Sequence, residues 1–155
     1  MNAPNAPPGG ETSETHIEVR YVETDQMGCA HHSACVAWFE LGRVAWMREH
    51  AFPYRKLEAD GVLMPVIGLN ARYLLPARFE DRLVIQTSLA ELGRGRVVFE
   101  NRIQRIEAEP QGQRTLLIEG RVELACIGRD GRVQRLPKEL LEHFAQFLKR
   151  EAGSA

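Results

Sequence analysis

The sequence predicts an α+β fold, with a curved antiparallel sheet of about five strands wrapped around one long central helix and a C-terminal helix at its end. Three observations carry this. Residues 33–49 have helical periodicity, yet their apolar side chains fall nearly all round, the mark of a helix buried on most sides. A single strand pattern precedes that helix. After it, residues 62–127 hold only strand patterns separated by short polar turns, as in an antiparallel meander.

Residues 1–14 carry Pro4, Pro7, Pro8, Gly9 and Gly10 and almost nothing apolar, so a disordered tail is expected. A first strand is expected over 16–22, with Ile17, Val19 and Tyr21 on one face. The polar turn Glu23-Thr24-Asp25-Gln26-Met27-Gly28 follows. Ser33 is a suitable N-cap for the long helix, within which Trp38 and Trp46 read as core and Glu40 and Arg43 as an i,i+3 pair on its one wet face. A short helix is expected over 53–60, opened by Pro53 and stopped by Gly61. Strands are then expected within 62–75, 83–92, 96–106 and 115–127. The turns are Gly93-Arg94-Gly95, Glu109-Pro110-Gln111-Gly112 and Asp130-Gly131. In the last strand Leu116, Ile118, Val122, Leu124 and Cys126 face one way. Pro137 opens a final helix over 138–150, with Leu140, Leu141, Phe144, Phe147 and Leu148 as its stripe. One domain over 15–150 is expected, with 151–155 as a tail.

Composition narrows the function. In 155 residues, 44% are apolar and 26% charged, an ordinary globular balance. Twenty basic against twenty-one acidic residues leave a formal charge of −1, which argues against holding nucleic acid by phosphate neutralisation. No apolar run is long enough to span a membrane. The first ten residues do not resemble a secretory signal. Three cysteines, Cys29, Cys35 and Cys126, show no metal-type spacing; reduced thiols in a cytoplasm are expected. A sheet with open edges around one helix predicts self-association.

Chemistry concentrates between the first strand and the long helix. A helix N-terminus presents unpaired N–H groups and partial positive charge. Such donors can grip a carbonyl oxygen and stabilise the oxyanion that grows on it. Asp25 lies one turn upstream, with Gly28, His31 and His32 between it and the helix. A carboxylate there can attack a carbonyl or deprotonate water, and Gly28 would let the backbone pass close to a ligand. The bland alternative is an Asx-turn residue closing a loop. Adjacent histidines are expected to point apart, and no third well-spaced ligand follows, so no metal site is expected.

The segment Val19-Arg20-Tyr21-Val22-Glu23-Thr24-Asp25-Gln26-Met27-Gly28-Cys29-Ala30-His31-His32 resembles the signature of the 4-hydroxybenzoyl-CoA thioesterase family, which includes YbgC-like acyl-CoA thioesterases. The stretches Trp38-Phe39-Glu40-Leu41-Gly42-Arg43, Tyr73-Leu74-Leu75-Pro76-Ala77 with Asp81, and Leu136-Pro137 are similar to later landmarks of that family. The resemblance implies the hotdog fold, with active sites at the subunit interfaces of a homodimer or homotetramer. It implies an acyl-CoA substrate, with coenzyme A part of that substrate and no separate cofactor. By resemblance Asp25 is the catalytic carboxylate, His32 carries the backbone N–H that polarises the thioester, Gly28 is the turn glycine, and a nucleotide-contacting stretch lies near Arg94 and Arg96. His31 is a second candidate amide. Arg129 and Arg132 are weaker phosphate candidates, since guanidinium forks suit phosphate oxygens. Cys29 and Ala30 replace aliphatic residues and Cys35 an aromatic one, changes that reshape the acyl pocket. The expected activity is hydrolysis of an acyl-CoA to free acid and coenzyme A. The rivals are an acyl-thioester dehydratase or hydratase on the same fold, and a non-catalytic acyl-binding protein.

Overall fold

The computed structural model describes residues 11–50 and 54–148. Five strands form one antiparallel sheet: β1 (Thr12–Glu18), β2 (Val66–Tyr73), β3 (Arg82–Leu92), β4 (Arg96–Ile106) and β5 (Arg114–Ala125). Their spatial order is β1-β3-β4-β5-β2. The meander β3-β4-β5 follows the turns expected for it. The two strands from outside the meander add at opposite edges, β1 along β3 and β2 along β5.

Three helices complete the fold: α1 (Ala34–Glu49), α2 (Tyr54–Ala59) and α3 (Lys138–Ala145). Helix α1 lies across the sheet and buries Ala34, Cys35, Trp38, Phe39, Gly42, Arg43, Trp46 and Met47. That spacing of one, three and four residues is a single sheet-facing stripe. The opposite face is open, with Val36 and Leu41 about half exposed. The expectation of a helix buried on most sides therefore fails for the single chain, because one sheet covers only one side. Arg43 belongs to the covered side while Glu40 is exposed, so the two do not share the expected wet face. Gly42 sets the closeness of the packing: a Cβ there would lie 2.2 Å from Thr87 Oγ1 and 2.8 Å from Ile85 Cγ2.

The core has two parts. Trp38 and Phe39 pack with Leu83, Ile85, Ile103, Leu117 and Ile118 under the first half of α1. Trp46 and Met47 pack with Leu89, Phe99, Leu124, Leu140 and Phe144 under the second half, where α3 closes the end.

Several boundaries move. The first strand begins at Thr12, inside the stretch expected to be a tail, and ends at Glu18; Tyr21, expected on one strand face with Ile17 and Val19, lies beyond the strand in a 3-10 turn and is 78% exposed. Pairing with Ser88 and Thr87 on β3 holds Thr12 and Ser13 in the sheet, a tertiary reason that local composition does not carry. In β5 a register shift opposite Ile103 and Gln104 leaves Leu116 only half buried and turns Leu117 fully inward. The final helix ends at Ala145 rather than at 150; residues 146–148 lie in a turn and bend, from which Phe147 and Leu148 still pack on the core. Residues 1–10 and 149–155, with the expected C-terminal tail and most of the N-terminal one, lie outside the described residues, as does Pro53.

Candidate active site

The connection from β1 to α1 is tied down step by step. Val19 is buried, and its N–H donates to Asp81 O at 3.0 Å. Tyr21–Glu23 is a 3-10 turn. The Glu23 carboxylate accepts from Arg20 N–H at 2.8 Å, Arg20 Nη2 at 3.1 Å and Trp38 Nε1 at 3.1 Å. Burial acts to raise the Glu23 pKa, but these donated bonds outweigh it and hold the group below its ordinary value. The turn is thus anchored on the first half of α1.

Residues 24–30 then form a tight loop closed by a bridge between Thr24 and Ala30. Asp25 N–H donates to Cys29 O at 2.9 Å, and Gly28 N–H to Asp25 O at 3.1 Å. Gly28 has φ of 77°, which a side-chain-bearing residue adopts only with strain. No atom of the described residues lies within 4 Å of where its Cβ would stand, so within the chain it is the turn that requires the glycine. Asp25 Oδ1 accepts from Met27 N–H at 2.8 Å, an Asx-turn. That bond orients the carboxylate and leaves Oδ2 without a hydrogen bond among the described residues. Cys29 Sγ lies 4.0 Å from Oδ1, on the wall of the site.

The start of α1 follows directly. Ala30 N–H donates to Ala77 O and His31 N–H to Glu23 O, both at 2.7 Å. His31 N–H is therefore consumed by the loop itself and is not the second oxyanion donor expected from the sequence. His32 N–H makes no hydrogen bond among the described residues and stands at the helix start. Ser33 precedes α1 as expected, but its hydroxyl caps nothing in the helix. Instead Ser33 N–H donates to His31 Nδ1 at 3.2 Å, and the Ser33 hydroxyl lies 2.7 Å from the same nitrogen. The rings of His31 and His32 do not point apart; their centroids are 4.1 Å apart in a tilted stack.

Asp25, Cys29, His31 and His32 line a cleft of about 280 Å³ with Tyr73, Leu74, Leu75, Pro76, Ala77 and Ile118. Tyr73, which spacing did not single out, donates its hydroxyl to His32 O at 2.7 Å and lies 2.9 Å from Cys35 Sγ. Burial raises the Tyr73 pKa to about 12 and also raises that of the Cys35 thiol, so both groups stay protonated near neutrality.

Arg94 and Arg96 are elsewhere. Ile118 at the cleft pairs with Tyr73 and Ile103, whereas the hairpin tip adjoins Leu92, Val97 and Leu124. Six residues along β5 separate the two, about 20 Å at roughly 3.3 Å per residue. Arg96 is held by Glu91 at 2.6 Å and by Glu123, while the Arg94 side chain is exposed. Arg129 donates to Ala59 O at 2.8 Å and so caps the end of α2 rather than facing the cleft. Among the described residues no three His, Cys, Asp or Glu side chains gather as a metal site. No helix among them is long and apolar enough to cross a membrane.

With this geometry in hand, the chain compares directly with known proteins. The Thioesterase superfamily model matches residues 27–110, more than half of the chain. The Acyl-CoA thioester hydrolase YbgC of Escherichia coli is 33% identical over 84% of this chain and 93% of its own.

This chain belongs to the Thioesterase superfamily.

The Putative acyl-CoA thioesterase YneP of Bacillus subtilis is 37% identical over 56% of this chain, spanning 63% of that relative, just under two thirds of its length. A hypothetical protein from Thermus thermophilus superposes with a TM-score of 0.79 at 35% identity, covering 88% of this chain and 98% of its own. DHNA-CoA Thioesterase from Staphylococcus aureus superposes at 0.76 with 28% identity, covering 87% and 89%. The fold is the hotdog fold of these thioesterases. The superfamily match begins two residues after Asp25 and does not include that carboxylate.

Proposed function

We propose that this protein is an acyl-CoA thioesterase in which Asp25 drives attack on the thioester carbonyl while the His32 N–H holds the carbonyl oxygen. Membership in the superfamily makes the chain a thioester hydrolase; the substrate class and the residue roles are our proposal. The observation that carries it is the placing of an oriented carboxylate and an unpartnered helix-start amide in one cleft. A thioester carbonyl seated there develops negative charge on oxygen as attack proceeds, and an amide fixed in advance stabilises it without reorganisation. Helix α1 adds its N-terminal partial positive charge. In one route Asp25 attacks carbon, coenzyme A leaves with a proton, and water hydrolyses the mixed anhydride. In the other, Asp25 takes a proton from water, which attacks directly. Either route yields free acid and thiol, and neither calls for a cofactor beyond the coenzyme A that arrives with the substrate.

We further propose that a second copy of the chain completes the site, in a homodimer or a dimer of dimers. Strand β2 is an open edge with Val66, Ile67 and Leu69 exposed, a ready template for another strand. The cleft at its Tyr73 end is small for a whole thioester, since ligand pockets run to about 300–1,000 Å³. Antiparallel pairing of two β2 edges sets the Val66 end of one copy beside the Tyr73 end of the other. The hairpin tip carrying Arg94 lies at that Val66 end. Arg94, rather than the carboxylate-bound Arg96, is then the better candidate for coenzyme A phosphate. A reducing cytoplasm is the setting we propose, supported by three cysteines that are all free thiols.

The test is thiol release over a panel of aromatic and aliphatic acyl-CoAs, with Asp25→Asn as the comparison. Asparagine keeps an oxygen for the Met27 N–H, so the loop survives while the charge is lost. Turnover should fall by at least about 100-fold, the lower end of general-base contributions. Undiminished thiol release from Asp25→Asn would instead favour a passive role for this carboxylate.

A further inference from the structure

We propose that Tyr73 is a positioning residue for this reaction: its hydroxyl fixes the peptide after His32, and the Cys35 thiol fixes the direction of that hydroxyl. The inference rests on the thioesterase role of the His32 N–H. Three hydrogen bonds pin the backbone around that amide. His31 N–H donates to Glu23 O at 2.7 Å, Ala34 N–H donates to His31 O at 2.9 Å, and Tyr73 Oη donates to His32 O at 2.7 Å. The first two belong to the backbone; the third comes from a side chain at the end of the edge strand β2.

The hydroxyl direction follows from counting protons. A phenol has one hydrogen, and the His32 carbonyl can only accept, so that hydrogen goes to His32 O. Cys35, buried at 1% exposure in the first turn of α1, must then donate its S–H to the oxygen of Tyr73. A thiol-to-hydroxyl-to-carbonyl chain polarises along its length and is stronger than its separate links. It ties the edge strand to the helix start at the point where the oxyanion is held. Cys35 thus has a task that its hydrophobic burial alone would not reveal.

The measurements are kcat and KM for thiol release by Tyr73→Phe, Cys35→Ala, Cys35→Ser and the double variant Tyr73→Phe/Cys35→Ala. Removing a whole oxyanion donor costs about 10²–10³ in kcat; loosening one should cost about tenfold, with KM moving less than about twofold. Cys35→Ala should lose a smaller factor, Cys35→Ser should recover it because a hydroxyl still donates, and adding Cys35→Ala to Tyr73→Phe should change nothing further. Backbone-amide NMR gives a readout independent of turnover: Tyr73→Phe should shift the His32 and Ser33 amide signals. Unchanged kcat in Tyr73→Phe while Asp25→Asn is impaired overturns this inference and leaves the thioesterase reading standing. So does a change confined to KM, or full additivity of the two losses. If the wild type releases no thiol from any acyl-CoA, the thioesterase reading falls, and an amide spectrum insensitive to Tyr73→Phe removes the tether as well.

Discussion

Replacing Gly42 by Ala should destabilise the protein, although alanine is the better helix former. In a helix interior the exchange gains about 1 kcal/mol from backbone entropy. Against that stands a Cβ at 2.2 Å from Thr87 Oγ1 and 2.8 Å from Ile85 Cγ2, where unstrained carbon contacts need about 3.5–4.0 Å. Two responses are open. If Thr87 turns away, its 2.9 Å bond to Asn101 Oδ1 breaks, in a place where Thr87 and Asn101 are at most 1% exposed. An acceptor left unpaired there costs about 1–3 kcal/mol. If the helix lifts instead, Trp38, Phe39, Trp46 and Met47 lose contact with the sheet together, and overpacking of this kind typically costs about 1–3 kcal/mol. Against the propensity gain, either response alone leaves a net loss of about 0–2 kcal/mol, and both in full leave about 1–5 kcal/mol. Urea unfolding followed by the fluorescence of Trp38 and Trp46, both on the affected helix, reads it directly. In Gly42→Ala/Thr87→Ala the closer clash is gone and only Ile85 Cγ2 must give way, so the loss should be smaller than the sum of the two single losses. A Gly42→Ala protein as stable as the parent, or more so, would refute the close helix–sheet approach from which this follows.

Two other outcomes follow from local geometry. Gly28→Ala meets no neighbouring atom, so its cost is the left-handed backbone alone, about 1–2 kcal/mol; calorimetry should show that modest loss, with a larger fall in thiol release as the Asp25 loop shifts. The Arg114 guanidinium, Gln86 and His16 hold the Glu14 carboxyl down at about 2, below its ordinary 4.5. A depressed carboxylate stabilises fully above its unfolded pKa and loses that contribution as protons return. Stability from Glu14 should therefore drain away as pH falls from about 4.5 to about 2. The pair is about one-third exposed, so its contribution is at most about 1 kcal/mol. Glu14→Gln should flatten that part of the urea-midpoint profile; an unaltered slope would show that the pair contributes nothing.

Much of the architecture can be read locally. The turns at 93–95 and 130–131 delimit β4 and the end of the meander, because glycine at a tight turn acts through its own backbone. The Thr24-Asp25-Gln26-Met27-Gly28 turn is legible for the same reason, since an Asx-turn and a left-handed glycine involve neighbours in the chain. The open face of α1 is not, because Val36 and Leu41 look as apolar as Phe39 until the sheet is seen to cover one side only. Nor is the fate of His31, whose ring and amide are both engaged by the folded loop. Arg94 and Arg96 carried the right chemistry for phosphate, but spacing along the chain could not show that the sheet sets their hairpin tip six residues along β5, about 20 Å, from the cleft end at Ile118 in the same copy.

The sequence by itself determined the strand-helix-meander order, the long helix and the acidic turn before it, since these depend on side-chain period, caps and turn residues within a few positions of one another. Only the tertiary structure decided that β1 and β2 occupy opposite edges, that Tyr73 meets Cys35 and His32 across 38 and 41 residues, and that the His31 amide is bonded to Glu23 O while the His32 amide makes no hydrogen bond among the described residues. Hydrogen bonds and pairings between distant segments depend on which strands lie side by side, and that is set by burying both faces of the core at once rather than by any local pattern.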